Sequence, residues 1–293
     1  MMTRLWTALI TPFKENGELD IESLNNLIEE QKKAQNGVLI LGSTGEGLNI
    51  EHSTKKQILQ AALQIKGDAQ YMVGLPGHQI DETLEWIDYC NTLNLDSYLA
   101  PVPLYAKPGP KGQTAWFKKV LDRSNKPVVL YNVPSRTGTS LSYETVKELV
   151  NHPNFKAIKE ASGSTECFSQ YEEITTTQML FCGDDGLMPE FSKLGAYGLI
   201  SVASNVWPYA TDAYVNACIN EDLTEEEISL WKNASNTLFL ASNPVPAKIL
   251  LHKNLKISSP LLRLPLSHEE EFNKEQLFEA DKEINNWFKV KGN

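Results

Sequence analysis

The sequence lacks any apolar run long enough to cross a bilayer, which takes about 20 residues in a helix. Its opening, MMTRLWTALITPF, carries only a short apolar stretch before Pro12 and no signal-cleavage pattern, so a cytoplasmic protein is expected. Cysteine is scarce: of Cys90, Cys167, Cys182 and Cys218, no two stand at metal-ligand spacing. A chain of this size needs no disulfide framework, and buried free thiols are the expectation. The histidines, His52, His78, His152, His252 and His268, are scattered and form no ligand pattern. Positive charge is in deficit, with 27 Lys and Arg against 37 Asp and Glu. That balance repels nucleic acid and anionic membranes, and neither is expected as a partner. Anionic substrates would have to be drawn in by local cations. A G-x-G-x-x-G turn is also missing after the first strand-like run, which ends in Thr11-Pro12-Phe13, against an open dinucleotide-binding sheet.

What is present is a rhythm. Strand-length runs rich in Val, Ile, Leu, Tyr or Phe stand at Leu5–Thr11, Gly37–Leu41, Gln70–Leu75, Asp96–Pro101, Pro127–Asn132, Phe155–Lys159, Met179–Cys182 and Tyr197–Val202. Amphipathic stretches lie between them. From Asp20, a plausible N-cap, Ile21, Leu24 and Ile28 form one stripe that Gly37 ends. Ile58, Ala62 and Ile65 form a second, and Ile80, Leu84 and Ile87 a third. Strands alternating with helices imply parallel pairing through crossovers. Eight such units before residue 222 predict an α/β fold, a (β/α)8 TIM barrel. Beyond it, 223–242, 244–255 and 269–291 read as helices. The expected organisation is a catalytic barrel over 1–222 and a C-terminal helical extension over 223–293, docked through Phe272, Leu277, Ile284, Trp287 and Phe288.

On such a barrel the C-terminal strand ends face the active site. Lys159 closes the apolar run FKAIK, an unusual place for an ammonium group. Burial disfavours the charged form of an amine, and only the neutral amine attacks a carbonyl to form an imine. The plainer alternative is a lysine facing solvent or paired with Glu160. Tyr131 ends the fifth run in VVLYNVPSRTG, where a phenol could exchange protons or simply fill a barrel layer. Arg136 follows, suited to a bidentate carboxylate clamp or to a surface ion pair. The second run ends in LGSTGEG, whose Ser43 and Thr44 could cradle a small anion or merely turn the chain. Asp184 and Asp185 fit a helix cap better than a metal pair. Tyr105 lies in PVPLYAKPGPKG, an extended loop able to reach beyond its own barrel.

Taken together, GSTGE at 42–46, YNVPSRTG at 131–138 and IKEASG at 158–163 resemble the dihydrodipicolinate synthase and N-acetylneuraminate lyase superfamily in order and spacing. The likeness extends over nearly the whole chain. Arg136 favours the dihydrodipicolinate synthase branch, since sialic acid lyases have no arginine in that stretch. The resemblance implies condensation of pyruvate with L-aspartate 4-semialdehyde, with no metal and no organic cofactor. It implies Lys159 as the imine lysine and Tyr131 as the central proton carrier. Ser43 would link Tyr131 to Tyr105, the latter donated by a neighbouring subunit. Thr44 would bind the pyruvate carboxylate, Arg136 that of the semialdehyde, and Gly183 and Ile200 would line the imine. A homotetramer, a dimer of tight dimers, is the implied assembly. Ser43 departs from the usual threonine but keeps the hydroxyl. The family's lysine-feedback pocket matches at His52 and Glu82. Lys55, His78 and Leu104 depart from it, so weak or absent inhibition by lysine is expected.

Overall fold

The computed structural model describes residues 2–291. Its strands are β1 (Leu5–Ala8), β2 (Gly37–Ile40), β3 (Tyr71–Gly74), β4 (Ser97–Pro101), β5 (Val128–Asn132), β6 (Phe155–Glu160), β7 (Met179–Cys182) and β8 (Gly198–Ser201). They follow chain order in one closed parallel barrel, the expected (β/α)8 architecture. Every residue of β1, β2, β3, β5 and β8 is buried. Strands covered by helices on one face and by barrel interior on the other read as unbroken apolar runs, which is why each could be located in the sequence.

The chain divides into two compact units, Met1–Gln70 with Ile200–Asn293, and Tyr71–Leu199. In the first, Asp20 caps the helix Ile21–Lys33, its carboxylate accepting the Ser23 N–H. That helix buries Leu24, Leu27, Ile28 and Gln31. Ile21, assigned to the apolar stripe, is instead 50% exposed. It is the first residue of the helix, in line with Leu24 and Ile28 but at the end of their stripe. After β8 the described chain holds helices and loops, with long helices at Pro208–Asn220, Glu225–Thr237, Val245–Lys253 and Lys274–Lys291. An aromatic cluster joins them. Trp231 stacks on Tyr214 with ring centroids 4.1 Å apart and meets Trp287 edge-on at 5.2 Å. The Trp207 indole donates to Asp281 at 2.8 Å, so its one polar atom is satisfied within this apolar cluster. Of the docking residues expected on the last helix, Leu277, Ile284 and Trp287 are buried; Phe272 and Phe288 are half-buried.

In the second unit the register of β5 on β6 places Tyr131 beside Lys159 and Asn132 beside Glu160. Cys90, Cys182 and Cys218 are buried free thiols, as expected, and Cys167 is half-buried. Burial pushes the Cys90 and Cys218 thiols up to about 12. Among the described residues no helix is long and apolar enough to cross a membrane.

Candidate active site

Successive residues on a strand point to opposite faces. This separates Lys159 from Glu160, the ion-pair partner the sequence left open. Glu160 is fully buried, and its carboxylate accepts the Asn132 amide at 2.6 Å and the Ser162 N–H at 2.5 Å. Burial pushes its carboxyl above the ordinary carboxylate range, against the pull of those two bonds. The Asn132 Oδ1 accepts the Leu141 N–H at 2.8 Å, so one amide ties β6 to the far end of the loop that carries Arg136.

Lys159 points the other way. It is 5% exposed and, among the described residues, has neither an ion pair nor a hydrogen bond through its ammonium group. Its Nζ lies 4.6 Å from the centroid of the Tyr131 ring, over the phenol's face. Tyr131 is itself buried, and its hydroxyl has no partner among the described residues.

Gly183 follows β7 and donates its N–H to the Glu160 carbonyl at 2.7 Å. A Cβ placed there would meet the Ala161 Cβ at 2.7 Å, the Glu160 carbonyl oxygen at 2.9 Å and the Lys159 Cε at 2.9 Å. The missing side chain is the space through which the lysine chain runs. Lys159, Tyr131 and Gly183 are thus brought together. Arg136 stands on the short helix Pro134–Thr137, which Gly138 ends in a left-handed conformation with φ of +72°. It is exposed and, among the described residues, forms no ion pair. Tyr105 sits on the loop between β4 and the helix Pro110–Arg123, 94% exposed, with φ of +63°.

In the other unit, the turn after β2 is wound tightly. Leu41 and Glu46 take φ of +60° and +56°, and a Cβ on Gly47 would lie 2.0 Å from the Leu41 carbonyl oxygen. The turn's own backbone bonds, Glu46 N–H to Ser43 and Gly47 N–H to Gly42, engage neither the Ser43 nor the Thr44 N–H. Thr44 is buried, Ser43 half-buried. The Thr44 hydroxyl accepts the Asn243 amide at 2.9 Å, a partner that sequence reading missed. Glu46 forms a fully buried ion pair with Lys248 at 2.5 Å and accepts the Arg263 N–H at 2.6 Å. These pairings join residues some 200 positions apart, so no local pattern announces them. Ile200 is buried in β8.

Of the feedback positions, His78 and Glu82 are half-exposed and face each other at 3.5 Å. Leu104 is half-buried and donates its N–H to Gly77 at 2.5 Å. His52 opens the helix His52–Gln64, in which Lys55 is buried. Asp184 accepts the Gly186 N–H at 3.1 Å, the capping role expected of this pair. Among the described residues no three His, Cys, Asp or Glu side chains gather in a set that could hold a metal ion.

A closed parallel barrel that buries, at the end of β6 and against the face of a tyrosine from β5, a lysine with no ion pair among the described residues has the makeup of an imine-forming aldolase. Comparison with known proteins gives the particular family. The model of the dihydrodipicolinate synthetase family matches residues 1–284, and this chain belongs to that family. A 4-hydroxy-tetrahydrodipicolinate synthase of Wolbachia pipientis wMel is 43% identical over 286 residues, 97% of each chain. The solved 4-hydroxy-tetrahydrodipicolinate synthase of Methylacidiphilum fumariolicum SolV superposes with a TM-score of 0.93 at 27% identity, over 100% of this chain and 99% of that one. The chloride-inhibited dihydrodipicolinate synthase of Acinetobacter baumannii, solved with pyruvate, gives 0.91 at 28% identity over 97% and 99%.

Proposed function

We propose that this chain joins pyruvate to L-aspartate 4-semialdehyde through an imine on Lys159, the reaction of a 4-hydroxy-tetrahydrodipicolinate synthase in diaminopimelate and lysine biosynthesis. The observation that carries the reading is the buried Lys159 ammonium, without an ion pair among the described residues and 4.6 Å from the Tyr131 ring centroid, in a chain of this family.

In this scheme pyruvate lays its carboxylate in the Ser43–Thr44 turn. The Lys159 amine attacks the keto carbon, and loss of water leaves the protonated imine, with Tyr131 moving the protons. The imine draws electrons from the neighbouring methyl, which gives up a proton to leave an enamine. That carbon attacks the aldehyde of the second substrate, whose own carboxylate Arg136 clamps. The substrate's amine then attacks the imine carbon, closing the ring and releasing Lys159. Electrons are withdrawn by the imine throughout, and the scheme calls on neither a metal nor an organic cofactor. Ile200 and Gly183 line the imine.

Ser43 links the Tyr131 hydroxyl to that of Tyr105, supplied by a second copy across a tight-dimer interface in a homotetramer. The exposure of Tyr105 and its left-handed backbone in the single chain suit a side chain completed by a partner. The reading places the enzyme in the cytoplasm. The test is a spectrophotometric assay with pyruvate and the semialdehyde beside N-acetylneuraminate with the same protein. Product from the first pair and no cleavage of the second is expected. Pyruvate released from the sugar acid would instead indicate a sialic acid lyase, and neither reaction would indicate a barrel that only binds.

A further inference from the structure

The residue that completes the anion-binding turn comes from far along the chain. We infer that Asn243 is a positioning residue for pyruvate, orienting the Thr44 hydroxyl so that its hydrogen is free for the substrate's carboxylate. The inference rests on the proposed role of Thr44 and extends it to a residue outside the motifs that identify the family.

A hydroxyl has one hydrogen to give and two lone pairs to accept with. The Asn243 Nδ2 donates to the Thr44 oxygen at 2.9 Å, and both side chains are buried. Occupied as an acceptor, the Thr44 hydroxyl keeps its hydrogen, which has no acceptor among the described residues. A carboxylate could receive it. Had the acceptor end of the amide faced Thr44, the hydrogen would be consumed within the protein. Polarity as well as proximity therefore sets up the turn for an anion.

The geometry is held from outside the hydrogen bond. Asn243 stands just before the helix Val245–Lys253, whose Lys248 pairs with Glu46 two residues beyond Thr44. Lys248 also donates to the Leu261 carbonyl at 2.7 Å, and Arg263 bonds Glu46 through its backbone. With the turn anchored at Glu46, loss of the Asn243 amide releases the Thr44 rotor and leaves the loop in place. A structural tether would act differently: its loss would loosen the whole turn and lower turnover with both substrates.

The experiment is steady-state kinetics with both substrates on Asn243→Ala, the isosteric Asn243→Asp, Thr44→Val and the double variant Thr44→Val/Asn243→Ala, with thermal melts of each. Asn243→Ala should raise KM for pyruvate about tenfold while kcat and KM for the semialdehyde stay within about twofold. Asn243→Asp should do worse, because its carboxylate takes the Thr44 hydrogen and repels the anion. It also decides the matter should the alanine variant fail to fold. The double variant should be no worse than Thr44→Val alone, since the amide acts through that hydroxyl. A pyruvate KM unchanged in Asn243→Ala or Asn243→Asp, or an equal penalty with and without the Thr44 hydroxyl, overturns the assignment. Thr44→Val with normal pyruvate KM overturns the underlying role of Thr44 as well. A damaging Thr44→Val beside harmless Asn243 variants sinks the Asn243 inference alone.

Discussion

Replacing Gly183 by alanine should separate folding from imine chemistry. The added methyl would lie 2.7 Å from the Ala161 Cβ, 2.9 Å from the Glu160 carbonyl oxygen and 2.9 Å from the Lys159 Cε. Each distance is well inside carbon contact, so something must move. The Glu160 carbonyl is fixed by strand pairing and by the Gly183 N–H at 2.7 Å, and Ala161 is held by its own N–H on the Asn132 carbonyl at 2.9 Å. The lysine chain is the softest of the three, with successive torsions beyond its Cβ. It should swing away by up to about 1 Å, and the backbone at 160–161 or 183 must give by a few tenths of an ångström as well to clear the other two contacts. Overpacking of this kind costs about 1–3 kcal/mol of stability, which a domain of ordinary stability survives. A displacement of that size at a reacting atom costs on the order of 100-fold in rate. Gly183→Ala should therefore remain folded by circular dichroism and thermal melt, yet form the pyruvate imine about 100-fold more slowly in a single-turnover borohydride trap. Trapping within a few-fold of the parent rate would refute the claim that the glycine makes room for the lysine.

Arg136→Ala should lower kcat/KM for the semialdehyde about 100-fold, the worth of a bidentate charged contact, and leave pyruvate trapping nearly unchanged. Equal losses in both half-reactions would dissociate Arg136 from the second carboxylate. Thiol alkylation of the native protein near pH 7.5 should label Cys167 first. Cys90 and Cys218, held up to about 12 by burial, have almost no thiolate there and should label only on unfolding or well into alkaline solution. Peptide mass mapping reads the order, and prompt labelling of Cys90 would contradict it. Free lysine at sub-millimolar concentration should barely inhibit, since Lys55 puts a cation and Leu104 an apolar side chain at the family's feedback positions. Strong inhibition in the coupled assay would overturn that expectation.

The barrel was legible because its strands are buried on both sides, and such strands spell themselves as short apolar runs between turn residues. Lys159 stood out for the same reason, as a cation closing one of those runs. The Glu160 alternative stayed open in the sequence and fell to the structure, where Glu160 turns to Asn132 and Ser162 on the other side of the strand. Ile21 misled because helical spacing tells which face a residue shares and not how far toward the helix end that face is covered. The contacts among Asn243, Thr44, Glu46 and Lys248 left no trace in the sequence. They depend on segments separated by most of the chain meeting in space, and periodicity records only neighbours.

The most direct test is reduction with borohydride in the presence of pyruvate, followed by peptide mass mapping of the parent protein and of Lys159→Ala. The account predicts one stable pyruvate-derived adduct, on the peptide that contains Lys159, and no adduct and no turnover in the variant. An adduct on another lysine, or full turnover by Lys159→Ala, would contradict it.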